Sequence, residues 1–308
     1  VLAPNSFKVL TECPAIVVLL FKLHSESSKP KIFKDFIIKA LLISTPDSAS
    51  ETHRQQYSDL MSAQVKTLSF LAHMIRHYMD HFDTTDEAVP KCVITTLQHC
   101  ANESASTRKD LLIAARYILS TEFRLGFLPY LDLLLEPMFL IGNGRTCYDT
   151  LRPLVYSTLA DFVHHIRDKL TLTQLSLAVY AYAKNIQDAS LAFSIQTMSV
   201  KLLQNLLEPI FKYGLEGRPV LVKIFEVFVN KLKSLNHQFS KLIPEDAKSD
   251  EITEPQNTPK DYRNLVKTLV LGVKTVVNFL LDVSGTINKL ELVEESLLYT
   301  KLFRHGLA

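Results

Sequence analysis

Residues 151–185, LRPLVYSTLADFVHHIRDKLTLTQLSLAVYAYAKN, constrain the fold more tightly than any other stretch. Leu151, Val155, Leu159, Phe162, Ile166 and Leu170 recur at steps of three or four residues, which places them on one face of an α-helix. Pro153 falls in the predicted first turn, where a missing N–H costs nothing, and Asp149 or Thr150 can accept from the free N–H groups there. Thr171 and Gln174 have the spacing of a capping box, so a second helix starts at once. Leu172, Leu175, Val179, Tyr182 and Ile186 form its stripe. Neither stripe can be buried by its own helix, so the two helices must pack together and offer a remaining edge to neighbours. That is one helical hairpin of an all-α, HEAT- or armadillo-like solenoid.

The same pattern runs along the chain. Phe7, Leu10, Pro14, Val17 and Phe21 give a first stripe, which Pro14 is expected to bend. After a polar break at 25–30 the spacing predicts helices over 32–43, 52–80, 86–101 and 108–121, with a loop at 44–50. The third of these stripes is Met61, Val65, Leu68, Ala72, Ile75 and Met79. A compact piece, 127–140, is interrupted by Pro129 and Pro137, and a loop at 142–145 follows. Beyond the opening hairpin a helix over 190–213 ends at Gly214 and Gly217, and Pro219 starts the next, through 242. Residues 244–259, PEDAKSDEITEPQNTP, are acidic and proline-containing with almost nothing apolar, and read as a mobile surface loop. Val266, Leu269, Val273, Val276 and Leu280 mark another helix, with a last one near 290–303.

Helix starts about 20–30 residues apart give hairpins near the 40–47 residue period of HEAT or armadillo arrays, although no sequence signature recurs between units. The domain plan is thus helical repeats over 1–243, the acidic loop 244–259, and a continuation of the repeats over 260–308. The chain starts at Val1 and ends on an apolar segment, where a solenoid needs polar caps, so a piece of a longer protein is expected.

A hydrophobic fraction of 47% supplies a core, and only 8 glycines argue against a sheet protein with many tight turns. With 34 basic and 32 acidic residues the net charge is +2, too weak a field to imply nucleic acid or an anionic membrane. Cys13, Cys92, Cys100 and Cys147 are scattered without a C-x-x-C pair, suggesting neither zinc site nor disulfide framework and fitting a reducing compartment. The apolar run 15–21 is too short to span a bilayer and reads as core helix.

Few residues invite chemistry. His73, His77 and His81 stand four apart, as metal-binding imidazoles on a helix can, but they lie opposite the Val65, Ala72 and Met79 stripe and read as a solvated face. His164 and His165 point about 100° apart, which suits a rim contact between helices better than joint chelation. Gly142-Asn143-Gly144-Arg145-Thr146 lacks the spacing and the preceding strand of a phosphate loop, and reads as a link with positive-φ glycines. Cys92 and Cys100 read as small core residues, and Lys267 and Lys274 as stems covering apolar surface. Tyr180 and Tyr182, among Ala178, Ala181 and Ala183, read as close helix packing. No motif of a hydrolase, metalloprotease or kinase occurs, so no catalytic, cofactor or metal residue is selected.

Long runs of text do carry a resemblance: SFKVLTECPAIVVLL (6–20), LIAARYILSTEFR (112–124), TLRPLVYSTLADFVHHIRDKLTLTQLSLAV (150–179) and SIQTMSVKLLQNLLE (194–208), with weaker runs at 264–276 and 301–307. In these the chain resembles the TRRAP family, pseudokinase scaffolds of histone acetyltransferase complexes, in what looks like its amino-terminal helical-repeat region. The resemblance implies a non-catalytic nuclear scaffold of SAGA-type coactivators, present once per assembly. Its expected partners are other complex subunits and acidic transcription activators, without direct contact to nucleic acid or membrane. It names no contact residues. Two other classes share the architecture: an importin-like transport adaptor, whose acidic inner helices and asparagine ladders are not seen here, and the solenoid arm of an active kinase related to the lipid kinases.

Overall fold

The computed structural model describes residues 4–24, 29–41, 54–100, 103–143, 147–242 and 258–284. Among them every regular element is helical, as the stripes require. The chain divides into two compact units, Val1–Phe162 and Val163–Ala308.

The first unit holds α1 (Pro4–Leu23), α2 (Lys29–Leu41), α3 (Arg54–His77), α4 (Ala88–His99), α5 (Ala105–Leu119), the short α6 (Leu131–Leu134) and α7 (Pro137–Ile141), and most of α8 (Cys147–Ile166). Here α3 packs against α1 and α5 as well as against α2 and α4, and α2 packs against α4. Contact with both the next helix and the next but one is what stacked hairpins make. Phe21 ties three helices together, meeting Phe33 at 5.4 Å and Phe70 at 4.9 Å, both edge-on. The second unit has the same plan: α9 (Leu172–Gln187) packs on α10 (Phe193–Phe211) and α11 (Arg218–Leu242), and both of those pack on α12 (Pro259–Ser284).

The stripe that opened the sequence reading is buried throughout, from Leu151 at 1% exposed to Leu170 at 4%. Each such side chain contributes about 1.5–3 kcal/mol by leaving water. The capping box at Thr171 and Gln174 forms in both directions, 3.3 Å from Gln174 N to Thr171 Oγ1 and 3.1 Å from Thr171 N to Gln174 Oε1. Leu175, Val179, Tyr182 and Ile186 follow it into the core, with Leu172 half-buried at the helix start. α1 runs as one helix through Pro14.

Several boundaries differ from expectation. α8 starts at Cys147, so Pro153 sits inside the helix and not in its first turn, withholding the N–H that would reach the carbonyl of residue 149. The extra turn is held by the Arg152 guanidinium, 4.7 Å over the Tyr148 ring one helical turn away. α5 starts at Ala105, capped by Ser104 Oγ, which accepts from Thr107 N. α3 ends at His77, and Met79–His81 forms a separate 3₁₀ turn. The piece expected over 127–140 resolves into a 3₁₀ segment, Glu122–Tyr130, then α6 and α7, with Pro137 opening α7. The loop at 44–50, nearly all of the acidic stretch 244–259 and the last helix near 290–303 lie outside the described residues.

Candidate functional site

The chain offers surfaces more than an enclosed site. In the first unit α3 and α5 leave between them a groove of about 280 Å³, walled by Ser62, Lys66 and Ser69 on one side and Ser106, Asp110 and Ile113 on the other, with Val65 and Thr107 also lining it. Two of its hydroxyls are engaged locally: Ser69 Oγ donates to Val65 O at 3.0 Å, and Thr107 Oγ1 lies 3.1 Å from the capping Ser104 Oγ. Ser69 and Thr107 therefore serve backbone and helix cap, not a nucleophile–base pair. Further along the same two helices the Arg76 guanidinium sits 5.6 Å over the Tyr117 ring, and both Ile113 and Tyr117 are exposed.

The histidine row lies on the exposed face of α3 and the turn after it, as expected. The His73 and His77 rings are 4.4 Å apart and Phe70 stacks on His73 at 6.3 Å. Partial burial, then the neighbouring His77 and Arg76, hold the His73 pKa below its ordinary value. His164 makes the rim contact assigned to it, with Asn205 Nδ2 of α10 at 3.2 Å and Arg167 of the following turn at 3.2 Å. Next to it a hollow of about 140 Å³ is lined by Arg167, Asp168, Leu170, Pro209, Lys212 and Tyr213. There Lys212 Nζ reaches Asp168 at 3.2 Å, which raises the lysine pKa, and Tyr213 donates to Leu170 O at 3.0 Å.

Gly142 ends α7 at φ 82°, a left-handed conformation that favours glycine, while residues 144–146 of that loop lie outside the described residues. Cys92 and Cys100 are core residues, both 0% exposed, and burial pushes the Cys92 thiol up to about 12. Lys267 and Lys274 stand on the exposed side of α12. Tyr182 packs as expected, but Tyr180 does not: it is 69% exposed, because two residues along a helix turn the side chain some 200° away from the core.

Several buried polar residues escaped the sequence reading, among them Arg108, Gln196 and Lys231. Arg108, 0% exposed, donates to Leu97 O, Phe139 O and Leu140 O. Gln196, equally buried, donates to Asp188 O and Leu191 O. Lys231 is 1% exposed, and desolvation holds its pKa down against the attraction of Asp188. Arg108 had a signal: once α5 begins at Ala105, it falls on the same stripe as Leu111, Leu112, Ala115 and Ile118. Among the described residues no helix is long and apolar enough to cross a membrane, and no three histidine, cysteine or carboxylate side chains group as metal ligands.

A family model described as the Tra1 HEAT repeat central region matches residues 56–258. The human transformation/transcription domain-associated protein is 44% identical over 239 residues, 75% of this chain. A probable transcription-associated protein 1 of Dictyostelium discoideum is 38% identical over 306 residues, 88% of this chain. The Saccharomyces cerevisiae SAGA complex/NuA4 acetyltransferase complex subunit TRA1 is 38% identical over 267 residues, 77% of this chain. The chain spans about 7% of the length of such relatives. The matching model describes the central part of the repeats, where the resemblance had suggested an amino-terminal part. Helical hairpins, stripe text and matching model agree, and the chain belongs to the Tra1/TRRAP family, as a stretch of its HEAT-repeat region.

Proposed function

We propose that this chain is a non-catalytic scaffold segment of a nuclear transcription coactivator subunit, linking DNA-bound activators to histone acetyltransferase complexes of the SAGA type through protein contacts alone. The observation that carries the reading is the match of residues 56–258 to the Tra1 HEAT-repeat region, together with a yeast relative named as a SAGA and NuA4 subunit. Stacked hairpins with engaged hydroxyls and exposed seams suit such a role. Residues 1–243 and 260–308 then serve as repeats on either side of the acidic stretch 244–259. The groove between α3 and α5 is the docking place we assign to a short amphipathic activator segment. Its apolar side chains meet Ile113 and Tyr117, and its carboxylates meet Lys66 and Arg76.

The test is affinity purification of the full-length protein from nuclear extract, with mass spectrometry and an acetyltransferase assay on nucleosomes. Recovery of acetyltransferase subunits and activity is expected. Recovery of transport factors or an active kinase in their place overturns the reading. For the groove, titration with an acidic activator peptide should shift amide signals of α3 and α5, and Ile113→Asp should abolish the shift. Unshifted spectra at millimolar peptide exclude this groove.

A further inference from the structure

The turn before α4 carries a pattern that the scaffold reading leaves unused. Residues 82–90, FDTTDEAVP, hold Asp83, Asp86 and Glu87 and no basic side chain. Phe82 and Val89 pin the ends of the turn, at 8% and 1% exposed, while Asp83, Thr85, Asp86 and Glu87 are exposed and Thr84 is half-buried. Thr84 has Asp83 before it, Asp86 two residues on and Glu87 three residues on. Protein kinases sort substrates largely by charge pattern, and one with a basic substrate cleft selects a hydroxyl followed at the third position by a carboxylate, with further carboxylates around it.

Spacing alone does not single Thr84 out, because among the described residues Thr107, Thr158 and Thr258 also stand three before an acidic residue. The structure separates the four. Thr158 lies inside α8 at 2% exposed, with Oγ1 donating to Leu154 O at 2.8 Å. Thr107 lies in the first turn of α5 with its N–H bonded to Ser104 Oγ, and the basic Arg108 and Lys109 follow it. Thr258 caps α12: its Oγ1 donates to Asp261 Oδ2 at 2.6 Å and accepts from Asp261 N at 3.2 Å, and Lys260 lies between them in the chain. Thr84 stands in a turn outside any helix, and no hydrogen bond among the described residues holds its hydroxyl. Its neighbour makes the contrast, since Thr85 Oγ1 donates to Asp83 Oδ1 at 2.7 Å and has Ala88 at the third position. Extending the turn into a kinase cleft breaks few bonds, Asp86 N to Asp83 O at 3.1 Å and the two that the Asp83 and Asp86 carboxylates accept from Thr85 N and Ala88 N. Local opening of that kind lies at the low end of the energies by which a folded chain opens.

We propose that Thr84 is a phosphorylation site for an acid-directed serine/threonine kinase. Its Oγ1 attacks the γ-phosphorus of ATP; the new O–P bond forms as the bond to the bridging oxygen breaks, ADP leaves, and the hydroxyl proton passes to the carboxylate base of the kinase. The product brings about −1.5 to −2 more charge to the turn. Lys34 of α2 stands beside it, its Nζ donating to His81 O at 3.3 Å. The inference does not rest on the scaffold reading.

The test incubates the full chain with a purified acid-directed kinase of the casein type and ATP, and maps the modified residues by mass spectrometry of the peptides. Thr84 should take phosphate at least about tenfold faster than Thr85, Thr107 or Thr258. Thr84→Ala should remove that signal and Thr84→Ser should keep it. Glu87 makes no side-chain bond to the start of α4, so Glu87→Gln leaves the helix as it is and should slow the modification of Thr84 by about tenfold. Labelling of Thr107 or Thr258 as fast as Thr84 overturns the selection by the fold. Phosphate absent from Thr84, or arriving there at the same rate in Glu87→Gln, overturns the assignment.

Discussion

Arg108→Ala should loosen one corner of the first unit and leave the second unit untouched. Arg108 is 0% exposed; its Nε donates to Leu140 O at 3.1 Å, its Nη1 to Leu97 O at 2.6 Å and its Nη2 to Phe139 O. Leu97 lies in the last turn of α4 and Phe139 and Leu140 in the last turn of α7, where carbonyls lack helical partners and carry the negative end of the helix dipole. One guanidinium thus satisfies the ends of two helices. Bonds from a charged donor contribute about 1.5–3 kcal/mol each, and the desolvation of the guanidinium offsets several kcal/mol of that sum. Truncation leaves stranded carbonyls and a void, for a net loss of about 3–5 kcal/mol. Hydrogen exchange measured peptide by peptide resolves this where a single global midpoint does not, since two units need not unfold together. A loss of about 3 kcal/mol speeds exchange in α4 and α7 more than a hundredfold. Arg108→Lys keeps the charge without the planar fork and should recover only part of the protection. Acceleration below about threefold in α4 and α7, or equal acceleration in α10 and α11, refutes the argument.

Thr171→Ala removes half of the capping box and should cost about 1 kcal/mol, seen as faster exchange in the first turn of α9. Gly217→Ala puts a Cβ 2.3 Å from Ile210 O; backbone cannot step aside cheaply, so a loss of about 1–3 kcal/mol is expected in the thermal unfolding of the second unit. Cys92, with its thiol pushed up to about 12, should react with a maleimide at pH 8 at least about a hundredfold more slowly in the native chain than in urea. Its unfolded thiol ionises at lower pH than the folded one, so this group's contribution to stability is complete below about pH 8.5 and is lost as pH rises toward 12. For Lys231 desolvation depresses the folded pKa: the unfolded chain binds more protons between the folded pKa and about pH 10.4, the full cost stands below that window, and stability rises with pH through it. Lys231→Met should therefore hold or raise the melting temperature at pH 7 and flatten its rise toward pH 10.

The apolar periodicity made the helices legible, and glycine, proline and capping residues marked many of their ends. Misplaced ends trace to interactions between residues that propensity does not score. Asp149 and Thr150 look like caps before Pro153, yet Arg152 stacking on Tyr148 extends α8 back by a turn. Placing the start of α5 at Arg108 hid a side chain whose burial joins three helices, because a residue at a helix start is read as solvated and a residue on the stripe is not. Tyr180 shows the converse error: its small neighbours suggested packing, while its angular position, two residues before the buried Tyr182, already excluded it. For the candidate site, solvated histidines and core cysteines were legible one by one. The α3–α5 groove was not, since it depends on which two helices lie side by side.

Most of the polar groups that join neighbouring helices share a habit that accounts for another feature of the chain. Gln187 donates to Val227 O, Gln204 to Thr268 O, Tyr57 to His99 O, Tyr213 to Leu170 O and Tyr262 to Leu235 O, as Arg108 does to the ends of α4 and α7. In each case a side chain on one element clips the backbone of another. A backbone carbonyl is present whatever residue carries it, so such a clip specifies one side chain and leaves its partner free to vary. Side-chain pairs would have required matched changes in both helices. An array built on clips and an apolar stripe can hold the spacing of its hairpins while its sequence drifts, and hairpins that recur without a recurring signature are what such an array looks like as text.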